Sequence, residues 1–289
     1  MFKKRWRTRD QMKRFLSGTG IEIGALHQPV NLEKTDVQKV LYVDSLPIEA
    51  LRAHYPELKD LSIVSPDIVD DGATLSSIDD GSLDFIVANH LIEHLDNPLQ
   101  ALENWFAKLK NGGVLFMAVP DKRYTFDINR PVTPIVHLIE DYQAGDEERK
   151  RRNHAHYVET AELIENRNGQ DAADRVESLI ARDYSIHHHV WTFESFETVL
   201  DHLIEKMKVP YRIVDYSSPM PGGNEFIFIL GKGEQFRNMP GEMRSTFDFH
   251  TAFWAFHSNA EKSVHIIRQE GLKSFLHKLR VFLYGRFFS

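Results

Sequence analysis

Gly20-Ile21-Glu22-Ile23-Gly24-Ala25-Leu26-His27-Gln28-Pro29 is the stretch on which the reading of the fold turns. A short β-branched run closed by a carboxylate and then a glycine reads as a buried strand ending in a tight turn, where a residue without Cβ lets the backbone approach a ligand. A nucleotide-like ligand is expected at that turn. Twenty residues on, Lys39-Val40-Leu41-Tyr42-Val43-Asp44 is a second buried-strand pattern ending in a carboxylate, where such folds place an acid on ribose hydroxyls.

Downstream, the order of elements is more specific than any one of them. Asp79-Asp80-Gly81-Ser82 is a turn, and Leu83-Asp84-Phe85-Ile86-Val87-Ala88 is an apolar strand of the kind covered by helices on both faces. Asn89-His90-Leu91-Ile92-Glu93-His94 follows at its C-terminal end, where open α/β sheets hold their ligands. A helix from Leu99 to Leu109 stops at Asn111-Gly112-Gly113, and Val114 to Val119 is the next strand, ended by Pro120-Asp121. Leu61 to Val64 reads as the intervening third strand, and Asp70-Asp71-Gly72 as an acidic turn after it.

This series resembles the class I S-adenosylmethionine-dependent methyltransferases, within them the small-molecule group sharing the Asn89 to His94 pattern. The resemblance spans residues 18–125, with a weaker echo to 231. It implies an α/β fold: a Rossmann-like, mostly parallel seven-stranded sheet with a terminal antiparallel hairpin. It implies S-adenosyl-L-methionine as cofactor, held by Glu22, Gly24, Asp44, Asp71, Gly72, Asn89, His90 and His94. Asp44 would take the ribose hydroxyls and Asp71 the adenine amino group, with Asp70 close behind. One departure stands out: the family carries several glycines after the first acid, whereas this chain has Gly24 alone before Ala25 to Pro29.

The 289 residues, 42% of them hydrophobic, suit one large domain with additions. With no cysteine, disulfides, thiolate metal sites and a cysteine nucleophile are excluded. Met1 to Arg7 is charged with no apolar run behind it, so neither a secretory signal nor a membrane span is expected, and a cytoplasmic location is. The net charge of −7 is unevenly spread. Segments 1–20 and 262–289 are basic and the body between them acidic, which argues against phosphate-driven nucleic-acid binding.

The boundaries expected are a basic segment over 1–19, a methyltransferase domain over 20–231 and a C-terminal helical extension over 232–289. Residues 125–190 turn polar and charged, too long for a simple connection, and are expected to form a helical cap inserted in the domain and selecting the acceptor. Tyr211 to Tyr216 and Glu225 to Leu230 are joined too briefly for a helical crossover, which makes the last strand antiparallel. In the tail, Leu272, Phe275, Leu276, Leu279 and Leu283 share one helical face with basic residues around it. Such a helix suits packing on its own domain or a partner, or weak peripheral contact with an anionic membrane, seconded by the basic segment 3–14.

Where the cap rejoins the domain stand His187, His188 and His189. Consecutive side chains point in different directions, so one metal takes at most two of them, and no metal site is expected. A histidine of this run is expected to act as base on the acceptor, with Asp121 orienting it; an unperturbed imidazole titrates near pH ~6.5. The acceptor class is a small molecule or a glycan- or lipid-linked precursor, methylated at oxygen. Two other readings compete: a cofactor-binding but catalytically silent scaffold, kept open by the single glycine of the first turn, and a nicotinamide-dependent oxidoreductase. The oxidoreductase would need a further crossover helix in place of the hairpin.

Overall fold

A computed structural model describes residues 4–163, 171–182 and 184–236. In chain order these form α1 (Arg9–Met12), β1 (Ser17–Ile23), β2 (Asp36–Asp44), α2 (Ile48–His54), β3 (Ile68–Val69), β4 (Leu83–Asn89), α3 (Pro98–Lys108), β5 (Leu109–Pro120), α4 (Ile135–Gln143), α5 (Asp146–Leu163), α6 (Ala172–Ala181), α7 (Phe193–Glu205), β6 (Tyr211–Ser217) and β7 (Glu225–Lys232). The strands make one sheet in the order β3-β2-β1-β4-β5-β7-β6. β1 to β5 pair in parallel, while β7 runs antiparallel to both β5 and β6. The seven-stranded, Rossmann-like sheet with its terminal hairpin is therefore present, and α4, α5 and α6 form the inserted helical cap.

Strand alternation divides the core into two layers. Ile86, Ala88, Leu115, Met117, Phe226 and Phe228 face α3 and α7, whose Trp105, Phe106, Phe196 and Leu200 they pack against. Phe85, Val87, Phe116 and Ile229 face the other way, onto Met12, Leu16, Val30 and Phe236. Helices were expected on both faces. Among the described residues the second face is covered instead by the N-terminal segment, the irregular connection from β1 to β2 and the turn after β7.

Three boundaries differ from the expectation, one of them the start of β5 at Leu109 where Val114 was expected. β1 begins at Ser17, so Gly18 and Gly20 lie inside the strand rather than in a loop before it. Gly20 has a packing reason: a Cβ there would lie 2.2 Å from the Phe85 carbonyl oxygen. The third strand is Ile68–Val69, not Leu61 to Val64, because its pairing is limited to Val43 and Asp44 at the end of β2.

The basic N-terminal segment is bound into the domain rather than set apart from it. Arg5, Arg7 and Arg14 converge on buried Asp215 of β6, and Arg9 forks onto Glu225 of β7 with Nε 2.8 Å from Oε1. The Arg5 backbone exchanges hydrogen bonds with Ser218. Of the C-terminal extension, only 232–236 are described; the amphipathic face over 272–283 and the membrane contact expected from it lie outside the described residues. No helix among the described residues is long and apolar enough to cross a membrane.

Candidate active site

Open α/β sheets place ligands beyond the carboxyl ends of their strands. Here the ends of β1 and β4, the N-terminal segment and the β6–β7 connection enclose a cavity of about 580 Å³, lined among others by Glu22, Gly24, Asn89, His90 and Glu225. Gly24 has φ +65° and open space where a Cβ would stand, and its N–H donates to the Val43 carbonyl (2.9 Å). The glycine thus ties the turn after β1 to the end of β2 and leaves its outer side bare.

Glu22 is 2% exposed, and both of its oxygens lie 3.0 Å from the Val30 N–H. Burial raises its pKa to about 7, against the Val30 hydrogen bond, the Arg9 charge and the Asn89 amide. Asn89 approaches this carboxyl, yet neither its amide nitrogen nor its oxygen makes a hydrogen bond of ordinary geometry. A buried amide at a strand end with its hydrogen-bonding capacity unused is suited to a polar ligand in the cavity.

Asp44 ends β2, where its Oδ1 accepts from the Ser45 N–H at 2.8 Å and burial raises its pKa. The acidic turn after β3 separates its two carboxylates. Both oxygens of Asp70 are taken, by the Asp71 N–H, the Ser76 hydroxyl and the Ser77 N–H and hydroxyl. Asp71 spends only Oδ1, on the N–H groups of Ala73 and Thr74. Gly72 next to it is packed, since a Cβ would come within 2.9 Å of Ile23 Cγ2, and its carbonyl accepts from the Trp105 indole at 2.8 Å.

His90 takes a left-handed conformation (φ 49°) at the end of β4, a strained position for a residue with a side chain. Its Nε2 is 2.7 Å from Glu225, which also receives Arg9. Burial works to raise the Glu225 pKa, but the hydrogen bonds from His90 and Arg9 outweigh it and hold the carboxylate at about 2. On its other side, His90 Nδ1 stands 3.8 Å from Glu93, and His94 Nε2 is at the same distance from that carboxyl. Glu93 is fully buried, neither oxygen has a hydrogen-bond partner, and burial raises its pKa.

The three consecutive histidines divide, His187 from the other two. The His187 ring approaches His94 edge-on (4.7 Å between centroids), and its Nδ1 lies 2.7 Å from Oδ2 of Asp127, a carboxylate also paired with Arg130. His188 and His189 turn their backbone N–H groups to the Glu93 carbonyl, and their rings point into the cap. Burial lowers the pKa of His94 and of His188 to about 4, with neighbouring histidines adding to the effect. Asp121 is fully buried with both oxygens engaged, by the Arg123 guanidinium and by the Phe193 N–H at the start of α7 (2.9 Å).

The structure thus gathers Glu22, Gly24, Asn89 and His90 at one cavity, sets Asp44, Asp71 and Gly72 on the adjoining strand ends, and brings His94 and His187 together beside Glu93. Sequence reading passed over Glu93, Glu225, Arg9 and Asp127. Glu93 stands inside the quoted pattern and its burial carried no local signal. Glu225, Arg9 and Asp127 reach their partners across long sequence separations.

The family model described as a methyltransferase domain matches residues 13–203, more than half of the chain. The chain belongs to this methyltransferase family. It is an enzyme of that type, and its methyl donor is S-adenosylmethionine. The open turn at Gly24, the unused amide of Asn89 and the carboxylate closing β2 fit such a donor. None of the curated proteins compared with the methyltransferase matches it. Among solved structures it is similar to a SAM-dependent methyltransferase from Methanosarcina mazei (17% identity, 77% of this chain and 96% of that one, TM-score 0.43). It is similar also to the CurJ carbon methyltransferase (13%, 75% and 49%, TM-score 0.39) and to the trans-methyltransferase CalH in complex with SAH (10%, 76% and 52%, TM-score 0.38). It spans about half the length of the last two, and likeness at this level carries no argument about the acceptor.

Proposed function

We propose that the methyltransferase acts on a hydroxyl oxygen of a small molecule or of a glycan- or lipid-linked precursor, with His187 as the base. The observation that carries this reading is the Asp127–His187 pair. With Nδ1–H donated to Asp127 at 2.7 Å, the tautomer is fixed and the Nε2 lone pair is left to take a proton. Of the three adjacent histidines, His187 has this support; His188 and His189 are turned into the cap. Asp121, expected to orient the acceptor, has both oxygens committed, and its part is to hold Arg123 and the start of α7 in place.

On the donor side, Asp44 accepts from the ribose hydroxyls, Asp71 offers Oδ2 to the adenine amino group, and Glu22 and Asn89 face the methionine end. When bound, the donor supplies an electrophilic methyl group. The chain's own residues place the acceptor in line with it, which accounts for much of the acceleration, and His187 removes the hydroxyl proton. Phe126, 69% exposed, lies against the His187 ring (4.8 Å between centroids). This exposed apolar side chain next to the base suits an acceptor with an apolar portion.

The test is release of S-adenosylhomocysteine with candidate hydroxyl acceptors, wild type against His187→Asn. Turnover should fall by roughly 10²–10⁴ while S-adenosylmethionine affinity stays within about twofold. Equal turnover would remove the base, and loss of cofactor binding would make His187 structural. No turnover by the wild type with any acceptor, alongside intact cofactor binding, would favour the silent scaffold.

A further inference from the structure

We propose that the cap holds a structural transition-metal site, best matched to zinc, formed by His137, His156, His189 and Asp141. Three elements supply the ligands: His137 and Asp141 stand four residues apart on one face of α4, His156 comes from α5, and His189 from the segment that rejoins the domain. His137 Nε2 lies 3.3 Å from His156 Nε2 and 3.3 Å from Asp141 Oδ2, and His189 Nε2 is 3.8 Å from the same oxygen. With metal–ligand bonds of about 2.0–2.1 Å, the ligand atoms of a tetrahedral zinc stand about 3.4 Å apart, so these atoms are already near a zinc shell. The three rings form an almost equilateral triangle, with centroids 5.3, 5.5 and 5.5 Å apart.

Unmet polar groups give the second, independent reason. His189 is fully buried, and neither ring nitrogen has a hydrogen-bond partner; Asp141, 2% exposed, has Oδ2 unpartnered too. Leaving a buried imidazole and a buried carboxylate oxygen unsatisfied is costly, and one cation at the centre of the triangle would engage both. Hydrogen bonding among the residues themselves does not achieve this, since the His137–His156 contact leaves His189 and Asp141 Oδ2 as they are.

The charges around the cluster permit a dication. Arg152, which holds the other Asp141 oxygen, also pairs with Glu140 (3.0 Å), and Arg130 pairs with Asp127 and Glu159 (3.0 and 2.8 Å). The Arg152 Nη2 is 3.1 Å from His137 Nδ1 and 3.2 Å from the His137 carbonyl, so it can rest on the carbonyl while Nδ1 keeps its proton. Three imidazoles and one carboxylate, with His189 and Asp141 buried and His137 and His156 half-buried, make a donor set for borderline zinc rather than for calcium or magnesium. Such an ion would fasten α4 and α5 to the 184–192 segment, and through the His188 and His189 N–H groups to Glu93 beside the active site.

The full chain, purified after growth with zinc and passed through gel filtration, should carry a single zinc by elemental analysis. Its cobalt-substituted form should show the strong visible bands of four-coordinate cobalt. His156→Gln should reduce bound metal to background. His154→Ala, an exposed change on the same helix, and His94→Ala, in the cluster beside the active site, should retain it. Chelation should lower the melting temperature of the wild type and leave that of His156→Gln unmoved. If the full chain takes up neither zinc nor cobalt, the proposal fails; it fails equally if His156→Gln keeps the metal or if His94→Ala loses it. Should His156→Gln not fold, the cobalt spectrum of the wild type decides, and a six-coordinate spectrum overturns the site.

Discussion

Replacing Glu22 by glutamine should change how stability depends on pH. Glu22 is buried beneath the cavity, and burial lifts its pKa from 4.5 to about 7. In the folded protein it therefore keeps a proton that the unfolded chain has released over the window between those values. Folding stability contributed by this group is complete below about pH 4.5, falls as pH rises through 7, and is flat above. At about 1.36 kcal/mol for each pKa unit, a shift to about 7 makes the loss about 3 kcal/mol at pH 8. The glutamine variant carries no such titration and keeps an oxygen for the Val30 N–H. It should match or fall slightly below the wild type at pH 5 and exceed it at pH 8 by about 2 kcal/mol, after about 1 kcal/mol for the poorer hydrogen bond. Urea unfolding of both proteins at half-unit steps from pH 5 to 8 measures this directly. Parallel stability curves for the two proteins would show that Glu22 is charged throughout and refute the reasoning.

Two further changes test the packing that positions the site. Asp215→Ala removes the carboxylate on which Arg5, Arg7 and Arg14 converge, and loss of one partner of a buried ionic cluster costs about 3–5 kcal/mol, to be read as a lower urea midpoint with an unchanged m-value. Gly20→Ala would drive a methyl group to 2.2 Å from the Phe85 carbonyl inside the sheet, and should cost at least about 2 kcal/mol in thermal or urea unfolding; a neutral result would mean that β1 and β4 pack otherwise.

Much of the sheet was legible because buried parallel strands write continuous apolar runs. Leu83 to Ala88 and Val114 to Val119 could hardly be anything else, and the brief link from β6 to β7 fixed the hairpin. The third strand was misplaced by a few residues: two short apolar runs, Leu61 to Val64 and Ile68-Val69, precede the acidic turn, and the choice between them is made by pairing with Val43 and Asp44, which no local pattern encodes. The start of β1 was missed for a similar reason, since glycines read locally as loop and only the ring and carbonyl of Phe85 explain Gly20 inside a strand.

At the site, Glu22, Gly24, Asn89 and His90 were readable because they sit at strand ends, where ligands of such sheets lie. The partners that set their chemistry were not. Glu225 opens a strand 135 residues after His90, and Asp127 meets His187 across 60 residues. The histidine run divides between two clusters, His187 beside His94 and Glu93 and His189 beside His137 and His156, which its local pattern did not encode. The other histidines that join His189 lie on α4 and α5 and are recognisable only once those helices are packed together.

The central claim is that the cleft at the ends of β1, β2 and β4 is built for S-adenosylmethionine. Calorimetry of the full chain with S-adenosylmethionine and with NAD, repeated on Asp44→Ala, tests it most directly. Saturable binding of S-adenosylmethionine at one site is predicted, with no binding of NAD and an affinity loss of about tenfold or more in the variant, the equivalent of about 1.4 kcal/mol of charge-assisted hydrogen bonding. Binding of NAD in preference to S-adenosylmethionine, or an Asp44→Ala variant that binds S-adenosylmethionine as tightly as the wild type, would contradict the claim.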